Sequence, residues 1–153
     1  MNREIKFRVY DKEKNMWTNF KILDNTIYFM DKNTGVWFHE KYKAKGRFAL
    51  MQYTGIKDKN DVEIYEGDIL KYNFPYDGRL KHISPVTYLE TQASFGIVDF
   101  YGNNIPLYDI PANNCFEVIG NIYENEELLK SEERKNDWNI TWRCTWKNKI
   151  AKR

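Results

Sequence analysis

The sequence is poor in the residues that usually mark a reactive or membrane-embedded protein. Of its 153 residues only two are cysteine and two are histidine, and its longest apolar runs, such as Phe48–Met51, have four residues. A membrane-spanning helix needs about 20 consecutive apolar residues, so the sequence excludes one. The N-terminal segment MNREIKFRVYDKEK has no apolar stretch of the kind found in secretory signals. We therefore expect a cytoplasmic protein with no membrane partner.

The scarce residues also form no familiar catalytic or metal-binding pattern. The cysteines, Cys115 and Cys144, match no metal or redox spacing, and neither histidine, His39 or His82, lies near a cysteine in sequence. The glycines form no phosphate-binding loop. We therefore predict no enzyme, no cofactor and no metal. A cysteine–histidine pair formed in three dimensions stays an open alternative, because such pairs are spatial rather than sequential.

Aromatic and charged residues are plentiful. Phe, Tyr and Trp make up 16% of the chain and charged residues 30%. That aromatic content is unlike a disordered chain, and a chain of this length can bury a sizeable core. The net charge of +2 conceals an uneven distribution, because residues 134–153 hold seven basic residues and one acidic residue. This basic extension either keeps an apolar segment soluble or meets an anionic partner.

The first half of the chain has the alternating pattern of β-strands. Ile5, Phe7 and Val9 alternate with Lys6 and Arg8, which predicts a half-buried strand whose basic residues face solvent. Further strands separated by polar turns are predicted at Met16–Leu23, Thr26–Met30, Val36–Glu40, Arg47–Gly55, Val62–Tyr65 and Ile69–Tyr72.

The second half is less regular. Residues 73–92 have no sustained period, so we predict a long irregular loop there. Strands are predicted again at 95–102 and 115–123, and the segment 105–111 should be extended because residues before proline avoid the helical region. A short helix should follow, capped by Asn125.

The C-terminal extension places three tryptophans on one face. Trp138, Trp142 and Trp146 recur every four residues, as on a helix, yet they also fit the strict alternation of a strand. The strand interpretation is favoured because it also explains Ile140 and Cys144. Since each tryptophan can bury about 200 Å², they are the candidate interaction residues of the chain.

Several aromatic residues are interleaved with basic ones along the chain: Phe7, Trp37, Tyr42, Phe48 and Tyr72. On an exposed sheet such rings could stack on bases while Lys and Arg contact phosphates, which gives a nucleic-acid-binding alternative. Ordinary amphipathic strands explain the same pattern, because Phe7 falls on the apolar face of its strand. That second interpretation is favoured.

Three separate strings resemble the YopX-like family encoded by phages and prophages. The central one is LMQYTGIKDKNDVEIYEGDIL (Leu50–Leu70), the opening one covers Arg3–Asp11 and the closing one covers Cys115–Leu129. Asp61 stands where the family often has glycine. The resemblance covers about residues 3–130 and leaves the C-terminal extension outside.

The resemblance implies a mainly β fold in which antiparallel hairpins accompany an SH3-like small barrel. We expect a YopX-like domain over residues 1–130, with hairpins in 1–46 and the barrel in 47–123, followed by the basic Trp-rich extension 131–153. A homo-oligomer is implied too, but no catalytic or binding residue is. The function expected is that of an accessory protein of a phage or prophage that acts by protein association and self-assembly in the bacterial cytoplasm. The alternative is a nucleic-acid-binding accessory factor of phage replication or transcription.

The Glu66-Gly67-Asp68 string predicts a structural turn. Gly67 should have a positive φ or be crowded by a neighbouring strand, and the Asp68 carboxylate should accept backbone N–H bonds. A ligand-binding role for Asp68 is the alternative.

Overall fold

Antiparallel strands are the main secondary structure of the described part of the chain. The computed structural model describes residues 4–39, 46–74, 77–99, 102–110 and 116–130, and within them it has thirteen strands. They are β1 (Phe7–Asp11), β2 (Met16–Thr18), β3 (Phe20–Leu23), β4 (Thr26–Met30), β5 (Trp37–His39), β6 (Phe48–Lys57), β7 (Glu63–Tyr65), β8 (Asp68–Phe74), β9 (Asp77–Pro85), β10 (Thr87–Leu89), β11 (Ser94–Val98), β12 (Asn104–Pro106) and β13 (Phe116–Asn121). The prediction of a mainly β fold is thus confirmed. No helix among the described residues is long and apolar enough to cross a membrane.

A four-stranded sheet joins the start of the chain to its middle, with strand order β2-β1-β6-β7. Tyr10 of β1 lies opposite Ala49 of β6, and both pack with Met51 in a small core. Because β1 pairs with β6, one sheet contains strands from both sides of the subdivision predicted between residues 46 and 47.

The single strand predicted at Met16–Leu23 is divided into β2 and β3, which belong to different sheets. Asn19 separates the two strands, and its carbonyl accepts the N–H of Met30 at 2.9 Å. β3, β4 and β5 form a separate antiparallel sheet. Its central Phe29 is buried and stacks on Phe48 of β6, with ring centroids 4.4 Å apart.

The irregular loop predicted for residues 73–92 is wrong, because strands β9 and β10 and a 3₁₀ turn at Glu90–Gln92 occupy most of it. The inward-facing residues of β9 include His82 and Ser84, which are buried. Because these inward-facing residues are polar, the sequence of β9 does not alternate between apolar and polar residues, and the strand was not predicted. They are retained there by bonds to β11: His82 Nε2 donates to the Val98 carbonyl, and the Val98 N–H donates to Ser84 Oγ, both at 3.1 Å.

Two three-stranded sheets, β13-β8-β9 and β10-β11-β12, curl into a half-barrel around the main core. Its buried side chains come from four strands and the connections between strands: Ile64, Leu70, Tyr72, Val86, Ile97, Leu107, Ile110 and Phe116. Asp58 lies in the turn between β6 and β7 and connects this turn to β13. Its carboxylate accepts the N–H groups of Asn60, Val62 and Val118 at 2.7 to 3.0 Å.

Two local predictions near the C-terminus need correction. The extended segment predicted at 105–111 includes a 3₁₀ helix at Leu107–Asp109. Residues 127–130 are helical, so the short C-terminal helix is confirmed. The Asn125 side chain, however, accepts the N–H of Asn121 at 3.3 Å, so it stabilises the turn before the helix.

Candidate functional site

The predicted turn residues Gly67 and Asp68 lie where three segments meet. Gly67 has φ of 79°, its N–H donates to the Val86 carbonyl at 2.8 Å, and its carbonyl accepts the Ile122 N–H at 2.9 Å. Asp68 is 1% exposed, and its Oδ2 accepts the N–H of Tyr65 at 2.8 Å. These contacts hold β8 against the end of β13.

Arg8 provides a second partner for Asp68 that the sequence did not predict. The alternation in β1 placed Arg8 toward solvent, yet its guanidinium is ion-paired with Asp68. It also lies between the rings of Trp17 and Tyr65, at 4.5 and 4.6 Å from their centroids. Burial raises the pKa of Asp68, and both the charge of Arg8 and the Tyr65 N–H oppose that rise. Every oxygen of this carboxylate is therefore used in holding β1, β7 and β8 together.

A second buried ion cluster joins β1, β6 and the turn after β4. Arg47 binds both oxygens of Asp11, through Nε at 2.8 Å and Nη2 at 2.5 Å, and Lys14 binds Asp31. The bonds from Lys14 lower the pKa of Asp31 to about 2 despite burial. Burial alone would raise the pKa of Asp11, but Arg47 and two backbone N–H groups outweigh it and lower that pKa. Carboxylates held ionised in this way are suited to structural ion pairing rather than to proton transfer.

The histidines occupy structural positions. His82 packs edge-on against Tyr72 in the half-barrel core, and His39 packs edge-on against Tyr28 on β4. Both cysteines, Cys115 and Cys144, lie outside the described residues. Within the described part of the chain, no group of three or more His, Cys, Asp or Glu side chains could hold a metal ion.

Most of the aromatic residues that are interleaved with basic ones are unavailable for base stacking. Tyr72 is buried in the core, Phe48 stacks on Phe29, and Phe7 packs edge-on against Phe20. Trp37 is the exception among the described members of that set, since it is exposed on β5. Tyr42 lies outside the described residues.

The side of the β3–β4–β5 sheet opposite Phe29, which we call the outer face, carries Lys21, Leu23, Tyr28 and Trp37. The strand registers place Lys21 directly across from Tyr28. On β5, Trp37 lies two residues from His39, which is directly across from Tyr28 on the other side. Lys21 Nζ lies 4.4 Å from the Trp37 ring centroid and 5.7 Å from that of Tyr28. The outer face is therefore largely apolar and aromatic, and the ammonium group of Lys21 lies against its rings.

A concave site of a different kind, which we call the aromatic cleft, lies between β6 and the β10–β11 hairpin. It has a volume of about 620 Å³, within the range of small-molecule sites. Its lining includes Gln52, Thr54, Ile56, Glu66, Tyr88, Ala93, Ser94, Phe95, Leu107 and Tyr108. Sequence reasoning missed the cleft because Tyr88 fell within the predicted irregular loop, so nothing brought it near Glu66.

The tryptophans predicted as interaction residues, Trp138, Trp142 and Trp146, lie outside the described residues, as does the whole extension 131–153. Their role in association stays a prediction.

Comparison with known proteins identifies the family. The model of the YopX protein family matches residues 6–130. The structure is similar to the crystal structure of protein EF1440 from Enterococcus faecalis, with 26% sequence identity and a TM-score of 0.55, over 84% of this chain and 99% of that one. It is also similar to the crystal structure of protein yopX from Bacillus subtilis, with 20% identity and a TM-score of 0.54, over 80% of this chain and 95% of that one. Comparison with curated proteins gave no match.

The family model covers most of the chain, including the central Leu50–Leu70 string, the whole closing string and most of the opening one. The two similar structures have the same overall fold. The chain therefore belongs to the YopX protein family.

Proposed function

We propose that this protein is a phage or prophage accessory protein that works without catalysis, by associating with proteins and with copies of itself in the bacterial cytoplasm. The observation that carries the proposal is the edge strand β3. Ile22 and Leu23, adjacent on this strand and on opposite faces, are 64% and 52% exposed. Large apolar side chains on both faces of an unpaired edge favour pairing with another strand.

A second copy of this chain is the partner that β3 fits best. β3 is the outermost strand of the order β3-β4-β5 among the described residues. Two antiparallel copies of one edge strand pair with twofold symmetry, so the same backbone groups and the same apolar residues meet their equivalents. Lys21, the charge that would oppose such pairing, is held against Trp37 on its own sheet.

The half-barrel agrees with the finer fold assignment that we propose, an SH3-like small barrel. The strands from β7 to β13 curl around one core, and Asp58 joins the turn after β6 to β13 across that curl. Small barrels serve many functions, so the fold by itself selects no activity.

The test is light scattering on the full chain and on the double variant Ile22→Lys, Leu23→Lys. We expect the wild type to be oligomeric and the variant to have a lower mass, because two lysines per edge would repel and would lose the apolar contact. Val62→Lys is the matched control, since Val62 is also exposed but lies outside the β3 edge. An unchanged mass in a variant with a wild-type circular dichroism spectrum would overturn the proposal.

The alternative of nucleic-acid binding has one supporting observation, the exposed Trp37 on the outer face, where Lys21 contacts the rings of both Trp37 and Tyr28. Gel mobility of DNA and RNA at two salt concentrations separates the two functions, because phosphate contacts weaken steeply with salt. Binding that is lost in Trp37→Ala and weakens with salt would favour this alternative.

A further inference from the structure

The aromatic cleft has the composition of a site for a cation. Tyr88 and Phe95 lie directly opposite each other on β10 and β11, with ring centroids 5.5 Å apart and nearly perpendicular planes. Tyr108, on the 3₁₀ helix, adds a third ring and is 66% exposed. Aromatic faces attract alkylammonium and guanidinium groups, most strongly where water is partly excluded.

The charge of the cleft has the matching sign. Glu66 is the one charged residue among its described lining residues, and none of them is basic. The buried carboxylates Asp11, Asp31 and Asp68 are each ion-paired with an arginine or a lysine. No ion pair within the described residues involves Glu66, although its side chain is only partly exposed. Burial raises the pKa of Glu66, against the effect of a bond from the Gln52 N–H, as expected of a carboxylate that lacks a nearby cation.

A hydroxyl in the same lining is also unsatisfied. The Ser94 Oγ is inaccessible to solvent and has no hydrogen-bond partner among the described residues. Buried polar atoms in native proteins almost always have a partner. Because the Ser94 Oγ has no accessible surface, it lies behind the wall of the cleft and is not a contact for a ligand there. The neighbouring Thr54 hydroxyl, by contrast, already donates to the Ile64 carbonyl at 2.9 Å.

We propose that the aromatic cleft binds a small organic cation with a primary ammonium group, which lies against Tyr88, Phe95 and Tyr108 and donates to the Glu66 carboxylate. Three rings supply the apolar and cation–π contacts, and one carboxylate supplies the charge. The proposal is independent of self-assembly, because the cleft and the β3 edge share no residue.

The experiment is calorimetric titration of the full chain with phenethylammonium chloride and, as its uncharged counterpart, 2-phenylethanol. Cation–π and charge-assisted contacts together predict binding of the ammonium compound about tenfold tighter than that of the alcohol. Equal affinity for both compounds would overturn the proposal, and so would the absence of binding up to about 50 mM.

Variants locate the site. Glu66→Gln and Tyr108→Ala should each weaken binding of phenethylammonium by roughly five- to tenfold. Glu127→Gln changes the same charge at an exposed position outside the cleft and should leave the affinity unchanged. Both cleft variants should keep the oligomeric mass of the wild type, so a failure here is distinguishable from a failure of the self-assembly proposal. Equal loss of affinity in Glu127→Gln would show non-specific charge attraction and overturn the proposal.

A lysine side chain in a peptide would bring the same ammonium group, so a further titration uses Nα-acetyl-lysine methylamide. Tighter binding of phenethylammonium than of the lysine derivative supports the small-molecule ligand proposed here. Binding of the lysine derivative alone would overturn it in favour of a peptide.

Discussion

Arg8 of the first strand is ion-paired with Asp68 of the eighth, and this contact joins the beginning of the chain to the turn at which the half-barrel begins. The Arg8 guanidinium is held between Trp17 and Tyr65, which partly shield the pair from water. Two strings that are far apart in sequence, Arg3–Asp11 and Leu50–Leu70, therefore meet at one point. Their side chains support the fold at that point, since each Asp68 oxygen accepts a bond from the protein itself.

Replacement of Asp68 by Ala should destabilise the protein strongly. It removes the partner of Arg8 and the acceptor of the Tyr65 N–H, and breaking a buried pair costs about 3 kcal/mol or more. Urea unfolding followed by circular dichroism measures the loss. Lys57→Ala, which breaks the exposed Lys57–Asp61 pair, is the control and should cost less than about 1 kcal/mol. A stable Asp68→Ala protein that has lost a binding activity would contradict the structural role.

The Asp31 carboxylate should make stability fall in acid. Its bonds with Lys14 lower its pKa from 3.8 to about 2 in the folded protein. The unfolded state therefore binds more protons as the pH falls below about 5, and the stabilisation that Asp31 provides near neutrality is lost progressively by about pH 2.

The measurement is urea unfolding of wild type and Asp31→Asn between about pH 6 and pH 2.5. The difference in unfolding free energy between the two proteins should shrink as the pH is lowered. Lys14→Gln should weaken the same pH dependence, because it removes the main cause of the shifted pKa. A difference that stays constant over this range would contradict the assignment.

Gly96 should not tolerate a side chain. A Cβ built on this residue of β11 would lie 2.3 Å from Leu89 Cδ1 and 2.6 Å from the Ile105 carbonyl oxygen. The Ile105 oxygen belongs to the backbone of β12 and cannot move without disturbing the sheet, so Gly96→Ala should cost about 2 kcal/mol or more. Thermal unfolding tests this. Ser94→Ala on the same strand is the control for a side chain of the same size, and an equal melting temperature for both variants would show that the crowding is relieved elsewhere.

Truncation after Lys130 tests the predicted role of the Trp-rich extension. The removed residues 131–153 carry seven basic and three acidic side chains, so the net charge changes from +2 to −2. If Trp138, Trp142 and Trp146 bury against a neighbouring subunit, light scattering should show a lower mass for the truncated chain and for the variant with all three replaced by serine. An unchanged oligomeric mass in both altered proteins would contradict the prediction.

The same truncation tests the nucleic-acid alternative. Loss of DNA or RNA affinity would indicate that the extension binds nucleic acid. Unchanged affinity at low salt would place the nucleic-acid site within residues 1–130.

The strands that the sequence predicted well are those whose hydropathy alternates with the pleat. The stretch from Arg47 is one of them, since Ala49, Met51 and Tyr53 are all buried. β9 escaped prediction because its inward residues His82 and Ser84 are polar and are satisfied only by β11. The break between β2 and β3 was not predicted either, because residues 16–23 contain no glycine or proline that would indicate an interruption at Asn19.

The candidate sites divide in the same way. The turn at Gly67-Asp68 could be predicted from the sequence. Glycine readily adopts a positive φ and aspartate readily accepts backbone N–H bonds in turns, so these residue types indicate a turn by themselves. The sequence also determined the family and the mainly β character, because both depend on local strings and a period of two. Only the tertiary structure decided that Arg8 turns inward to Asp68 and that Glu66 joins Tyr88 and Tyr108 in one cleft. Those groupings depend on which strands become neighbours, and that is set by packing between segments distant in sequence rather than by any local pattern.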